Sequence, residues 1–310
     1  MTFFSLVAAL LIEQLQALDY RRFVHKPVAS WADFLERKFN GGDYKNGVIA
    51  WAAGVFLPAI LAGTVFFLLR KIHPLAAWVW NVLLLYLTLG FRQFSHYYTD
   101  IHKALQAGDV PEARRLLAEW RGRSDDGLAS EEIARLAIEE ALAASHRHVF
   151  GVLVAFVLLP GPCGAVLYRL AAIFSGRWQQ RGERDLSDLS KFGLFARQAF
   201  FCIDWLPLRV TALSFAVVGD FEDAVFCWRT QAVKWTDRNL GIVLASGAGA
   251  LGVRLGMPLA GASGEIDDRA ELGLGDEADA DFMQSATGLV WRAVVLWFLL
   301  LLLTGLSSFG

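Results

Sequence analysis

The chain has 310 residues, 55% hydrophobic and 19% charged, with a mean hydropathy of +0.41. That balance excludes an ordinary soluble domain and fits an all-α, polytopic helical membrane protein with soluble loops, its partner the lipid bilayer. A formal net charge of -2 offers no basic field for nucleic acid, and three scattered cysteines, Cys163, Cys202 and Cys227, form neither a disulfide framework nor a metal motif.

A helical span needs about 20 mostly apolar residues. Residues 2–18 are apolar but short and carry Glu13, and no basic flank marks a cleaved signal peptide. Residues 47–69 and 74–91 carry no charged residue and read as clear spans. Residues 149–168 form a third, interrupted by Pro160-Gly161-Pro162-Cys163-Gly164, where a kink or unwinding is expected. Residues 193–219 carry Arg197, Asp204 and Arg209 among Phe, Leu and Val; such charges must face protein or a polar cavity. Residues 292–309 form the last embedded segment of a single integral membrane domain over 1–310.

Six segments put both termini on one side. Loops 19–46, 96–147 and 220–288 then share the other side and hold 18 Lys and Arg, against six in 70–73 and 176–193. Basic loops favour the cytoplasm, which places the three loops, including the long soluble loops 96–147 and 220–288, on the cytoplasmic side of a bacterial inner membrane.

Loop 96–147 reads as a solvated helical hairpin. Asp109-Val110-Pro111-Glu112 is a capping box with Pro in the first turn, followed by Ala113, Leu116, Leu117 and Trp120 at helical spacing. A polar turn, residues 122–127, precedes a second helix from Ser130-Glu131-Glu132. Residues 261–281 hold eight acids, one Arg and four Gly, which predicts a flexible acidic tether more readily than a cation site.

Gly247, Gly249 and Gly252 spell G-x-G-x-x-G after an apolar run. A dinucleotide site would need a crossover helix next, but Gly256, Pro258, Gly261 and Gly264 follow. The glycine density also argues against a membrane helix. The expectation is a short segment that packs closely or bends and presents Arg254, either to a phosphate or carboxylate ligand or to a nearby acid.

Other chemistry is sparse. P-loop, H-E-x-x-H and G-x-S-x-G motifs are absent from the sequence. His146 and His148 do not converge on a metal at their spacing and read as interface histidines, while His96 and His102 lack a third ligand. Asp204-Trp-Leu-Pro-Leu-Arg209 sets an acid and a base around a proline, a pair that is either structural or functional.

Together these stretches resemble the adenosylcobinamide-phosphate synthase family of the CobD/CbiB type. The resemblance is carried by "GAGALGVRLG" with Asn239-Leu240-Gly241 upstream, by "ALQAGDVPEARRLLAEWRGRSDDG", by "SEEIARLAIEE", and by "GPCGAVLYRL" and "WLPLRVTAL". It implies an ATP-dependent amide synthesis at the cytoplasmic membrane, joining an aminoalcohol phosphate to a corrinoid acid. The family's acidic positions, however, fall on Ala143, Ala144, Arg147 and His148, and near Phe200 and Phe201. Those departures resemble a related branch, the AmpE-type inner-membrane proteins linked to β-lactamase regulation. That branch has an Arg where Arg147 stands, a stretch like Asp204–Arg209 and an early motif like Glu13-Gln14-Leu15.

The expectation is therefore a diverged, non-synthase signalling or sensing protein. It would bind a small phosphate- or carboxylate-bearing ligand at Arg254, Asn239, Gly241, Gly252, Asp204, Arg209, Arg147, Arg123 and Asp109. No metal site is expected, and a homo-oligomer is compatible with the sequence. The alternative is an active synthase, with ATP, Mg²⁺ and a corrinoid, using other carboxylates such as Asp109, Asp125 or Glu139. A transporter rests on the embedded charges alone.

Overall fold

The computed structural model describes residues 2–16, 20–41, 43–122, 127–184, 189–260 and 266–307. In chain order the helices are α1 (Thr2–Leu15), α2 (Lys26–Phe39), α3 (Tyr44–Trp51), α4 (Leu57–Ile72), α5 (Pro74–Thr88), α6 (Phe91–Gln106) and α7 (Val110–Arg121). They continue with α8 (Ser130–Ser145), α9 (Gly151–Leu158), α10 (Cys163–Arg184), α11 (Leu189–Val218), α12 (Phe221–Thr230), α13 (Arg238–Leu251) and α14 (Ala280–Ser307). Single π-turns, Ala52–Phe56 and His146–Phe150, join α3 to α4 and α8 to α9.

Among the described residues, four helices are long and apolar enough to cross a membrane: Tyr44–Ile72, Ser130–Leu158, Lys191–Val218 and Ala280–Thr304. The protein is a polytopic α-helical membrane protein, as composition predicted. Two compact units make it up: residues 1–91 with 147–207, and residues 92–146 with 208–310.

In the first unit, α2, α3, α10 and the start of α11 meet around Leu35, Val55, Phe174, Trp178 and Phe192. Trp178 lies 5.2 Å from Phe174 and 4.7 Å from Phe192, centroid to centroid, distances at which aromatic pairs add to area burial. Arg177 clamps Asp33 through two bonds of 2.9 and 2.8 Å. The π-turn before α4 sits just ahead of Pro58, whose ring and missing N–H disturb the preceding helical turn.

Residues 149–168 are not one span. Leu159 is extended, Gly161 has a φ of +65°, and the chain breaks between α9 and α10. These helices then pack on each other: a Cβ on Gly164 would fall 1.9 Å from the Ala155 carbonyl oxygen, and one on Gly151 would overlap the Tyr168 ring. The Pro-Gly-Pro sequence makes a hairpin, not a kink.

In the second unit, α8 is not solvated. Ile133, Leu136, Ala137 and Ile138 are all buried, because α7, α13 and α14 pack on this helix. The Gly-rich segment is also a helix, contrary to the propensity reading. Gly247 and Gly249 lie in α13, where a Cβ would press Leu142 at 2.8 Å and the Asp223 carbonyl at 2.5 Å. Close helix approach outweighs the propensity cost. The described part of the acidic stretch is ordered too. Strand β1 (Val253–Arg254) pairs in parallel with β4 (Asp276–Glu277), β2 (Leu259–Ala260) pairs antiparallel with β3 (Ile266–Asp267), and Leu255 bridges Leu272. The stretch was expected to be a flexible tether; in its described part backbone pairing fixes the chain while Glu271 and Glu277 stay exposed.

Candidate functional site

The site in the second unit begins where α13 stops. Gly252, at φ +67°, ends the helix in the left-handed conformation and turns the chain into β1. Gly256 (φ +74°) and Met257 (φ +67°) then adopt left-handed backbone in succession. A Cβ on Gly256 would lie 1.9 Å from the Ala270 carbonyl oxygen, so only glycine fits there. Met257 bears a side chain in a conformation that costs about 1–2 kcal/mol; such strain persists only where the surroundings impose it.

The restraint comes from α8. The Glu139 carboxylate accepts the Gly256 N–H at 2.8 Å and forms an ion pair with Arg269. The Arg269 guanidinium lies 4.9 Å from the Trp235 ring centroid. Leu255 and Leu272 exchange backbone bonds of 2.7 and 2.9 Å, and the Gln231 side chain grips both N–H and C=O of Gly273 at 2.6 and 3.1 Å.

Arg135 sits one helical turn before Glu139. Its Nη1 donates to the Met257 sulfur at 3.3 Å, and its Nη2 lies 3.9 Å from Glu132, whose other oxygen accepts the Ala129 N–H. Arg254 approaches Glu277 at 3.6 Å and Glu271 at 4.0 Å, both long contacts to exposed carboxylates. The Nε–H groups of Arg135 and Arg254 are buried without a hydrogen-bond partner among the described residues. Between them lies a cleft of about 280 Å³, lined by Glu131, Glu132, Arg135, Arg254, Met257 and Glu277.

Of the residues chosen from sequence, Arg254 lines this cleft and Gly252 builds the turn before it. Asn239 and Gly241 lie in the first turn of α13, capped by Asp237; a Cβ on Gly241 would meet the Ala232 carbonyl at 2.5 Å, which marks a packing position. Asp109 caps α7 through the Glu112 N–H at 3.1 Å. Arg209 lies on α11 within the second unit. Arg147 and Asp204 belong to the first unit, where Arg147 is exposed and buried Asp204 accepts the Tyr168 hydroxyl at 2.8 Å. Arg123 and Asp125 lie outside the described residues.

His146 and His148 both have side-chain partners. His146 is buried against the Thr211 hydroxyl at 2.9 Å, and His148 meets Arg169 at 3.1 Å. Among the described residues, no three His, Cys, Asp or Glu side chains converge as a metal set. Sequence reasoning missed Arg135, Glu131, Glu132 and Glu277. The i, i+4 pair Arg135 and Glu139 in "ARLAIEE" was the available signal, but it pointed to no partner.

A polytopic helical membrane protein that carries a small cleft of mixed charge is the class defined here. The chain belongs to the CobD/CbiB family: the family model described as "CobD/Cbib protein" matches residues 6–290. It is 37% identical over 310 residues to the "Cobalamin biosynthesis protein CobD" of Stutzerimonas stutzeri, covering 98% of each chain. A protein of the same name from Chromobacterium violaceum is 37% identical over 226 residues, 72% of this chain and 70% of that one. One from Photorhabdus laumondii is 26% identical over 219 residues, 69% and 67% of the two chains. No solved structure matches.

A likeness of 37% identity across 98% of both chains to a protein named for cobalamin biosynthesis overturns the expectation of an AmpE-like, non-synthase regulator. The expectation weighed a few motif positions, Ala143, Ala144, Arg147 and His148 among them, against a likeness that runs through the whole chain.

Proposed function

We propose that the protein is a cobalamin-biosynthesis synthase that forms an amide between a corrinoid acid and an aminoalcohol phosphate, driven by ATP. The observation that carries this reading is the 37% identity across 98% of both chains to a relative named for cobalamin biosynthesis. The reaction removes a carboxylate oxygen of the acid with a phosphoryl group from ATP; the amine nitrogen takes its place on the acyl carbon and releases a proton. Two under-bonded guanidinium groups suit the phosphate that this chemistry handles. Arg254 is the residue proposed to touch ligand, with Asn239, Gly241 and Gly252 shaping its approach. Asp109 serves as a helix cap, and Glu139 holds the Gly256 turn. ATP and Mg²⁺ would come as co-substrate, and no step is assigned to a protein-held metal. We place the protein in the bacterial inner membrane with loops 96–147 and 220–288 cytoplasmic, where ATP is available.

The test is rescue of corrinoid synthesis in a bacterial strain lacking its own synthase. Rescue by the intact protein and its loss in Arg254→Ala, at equal membrane levels, are expected. Failure of the intact, membrane-inserted protein to rescue overturns the reading.

A further inference from the structure

We propose that the cleft between Arg135 and Arg254 is the subsite for the small partner of this reaction, a zwitterion with phosphate at one end and ammonium at the other, and that the corrinoid is held elsewhere. This inference rests on the synthase reading and adds the division of its substrates.

Size is the first ground. At about 280 Å³ the cleft lies at the lower end of small-molecule sites. It accommodates an aminoalcohol phosphate, and a corrinoid macrocycle with its side chains does not fit.

Unmet hydrogen-bonding capacity is the second. Arg135 is 8% exposed, and a guanidinium that deep ordinarily finds oxygen acceptors. Here its one hydrogen-bond acceptor among the described residues is a thioether sulfur, with the Glu132 carboxylate 3.9 Å away already capping a helix and the Glu139 charge committed to Arg269 and the Gly256 N–H. Its Nε–H has no partner among the described residues, and neither has the Nε–H of Arg254 across the cleft. Two guanidinium groups short of acceptors at one cavity define a place for a multi-oxygen anion.

The third ground is the opposite charge. Glu277, 64% exposed, and Glu131 line the same cavity. They can meet an ammonium without displacing the buried groups. A purely anionic ligand would leave these carboxylates repelling it; a zwitterion uses both signs.

A nucleotide phosphate shares the anionic chemistry, so the experiment must separate the two sources. Purified full-length protein in detergent is titrated calorimetrically with ethanolamine phosphate, inorganic phosphate and ATP, for the intact chain, Arg135→Gln and Glu277→Gln. Arg135→Gln should weaken ethanolamine phosphate and inorganic phosphate about ten-fold or more. Glu277→Gln should weaken ethanolamine phosphate about three-fold and leave inorganic phosphate unchanged. Because Glu277 is exposed, that variant keeps the test valid if Arg135→Gln fails to fold.

In the steady state, both variants should raise KM for the aminoalcohol phosphate and leave KM for the corrinoid unchanged. If the intact protein rescues corrinoid synthesis but the variants raise KM for ATP or for the corrinoid instead, the subsite assignment falls and the synthase reading stands. If the intact protein neither rescues nor binds ethanolamine phosphate, both fall.

Discussion

The Glu139 carboxylate and the Gly256 amide, 117 residues apart in sequence, are joined by a 2.8 Å hydrogen bond. This bond and the ion pair to Arg269 tie α8 to the left-handed turn beside the cleft. Glu139→Ala would leave the Arg269 guanidinium buried without its carboxylate. A loss of about 3 kcal/mol or more is expected, since removing one partner of a buried pair strands the other charge. Unfolding of the purified protein in detergent checks this. A change below about 1 kcal/mol would show that the pair does not hold the turn.

Gly256 and Gly252 both have positive φ, but their surroundings differ. A Cβ on Gly256 collides with the Ala270 carbonyl, while one on Gly252 meets nothing within 4 Å. Gly252→Ala should cost only the left-handed penalty, about 1–2 kcal/mol. Gly256→Ala should cost markedly more and distort the cleft. Comparing their melting temperatures and phosphate affinities tests this; equal effects would contradict the steric account.

Cys227 on α12 is buried, and burial, together with Asp223, pushes its thiol up to about 11. Maleimide at pH 8 should modify it only after unfolding. Because the folded pKa is raised from about 9, the favourable contribution of the neutral thiol is complete below pH 9. It is lost as the pH rises toward 11. The difference in stability between the intact protein and Cys227→Ala should move with pH in that window and be flat below it.

Residue 127 adjoins α8, which carries Arg135. With Cys163, Cys202 and Cys227 replaced by Ala, a Gly127→Cys probe should react with an impermeant maleimide in inside-out vesicles and not in intact cells. Labelling from outside would reverse the proposed orientation.

Much of the helical plan was legible because apolar length is a one-dimensional signal. Residues 47–69 fall inside Tyr44–Ile72, while the expected spans at 2–18 and 74–91 are shorter apolar helices, Thr2–Leu15 and Pro74–Thr88, not among the four long enough to cross. Asp109 and Gly122 mark the ends of α7, because caps satisfy backbone groups locally. What escaped depended on neighbours. Gly247 and Gly249 read as helix breakers, but Leu142 and the Asp223 backbone make their lack of a Cβ a packing requirement. Arg254 could be singled out because it stands in a recognisable stretch. Arg135 could not: its role depends on Met257, 122 residues later.

The two units interleave along the chain: 92–146 interrupts the first and 147–207 interrupts the second. A ribosome delivers residues in one direction, which imposes an order of assembly. By residue 207 every piece of the first unit has emerged. By then α8, with Ile133 and Leu136 destined for burial, has been made without α13 and α14, which are translated last. During synthesis that helix has only α7 to pack on until the final third of the protein arrives, and its uncovered apolar surface makes a nascent intermediate exposed to quality control.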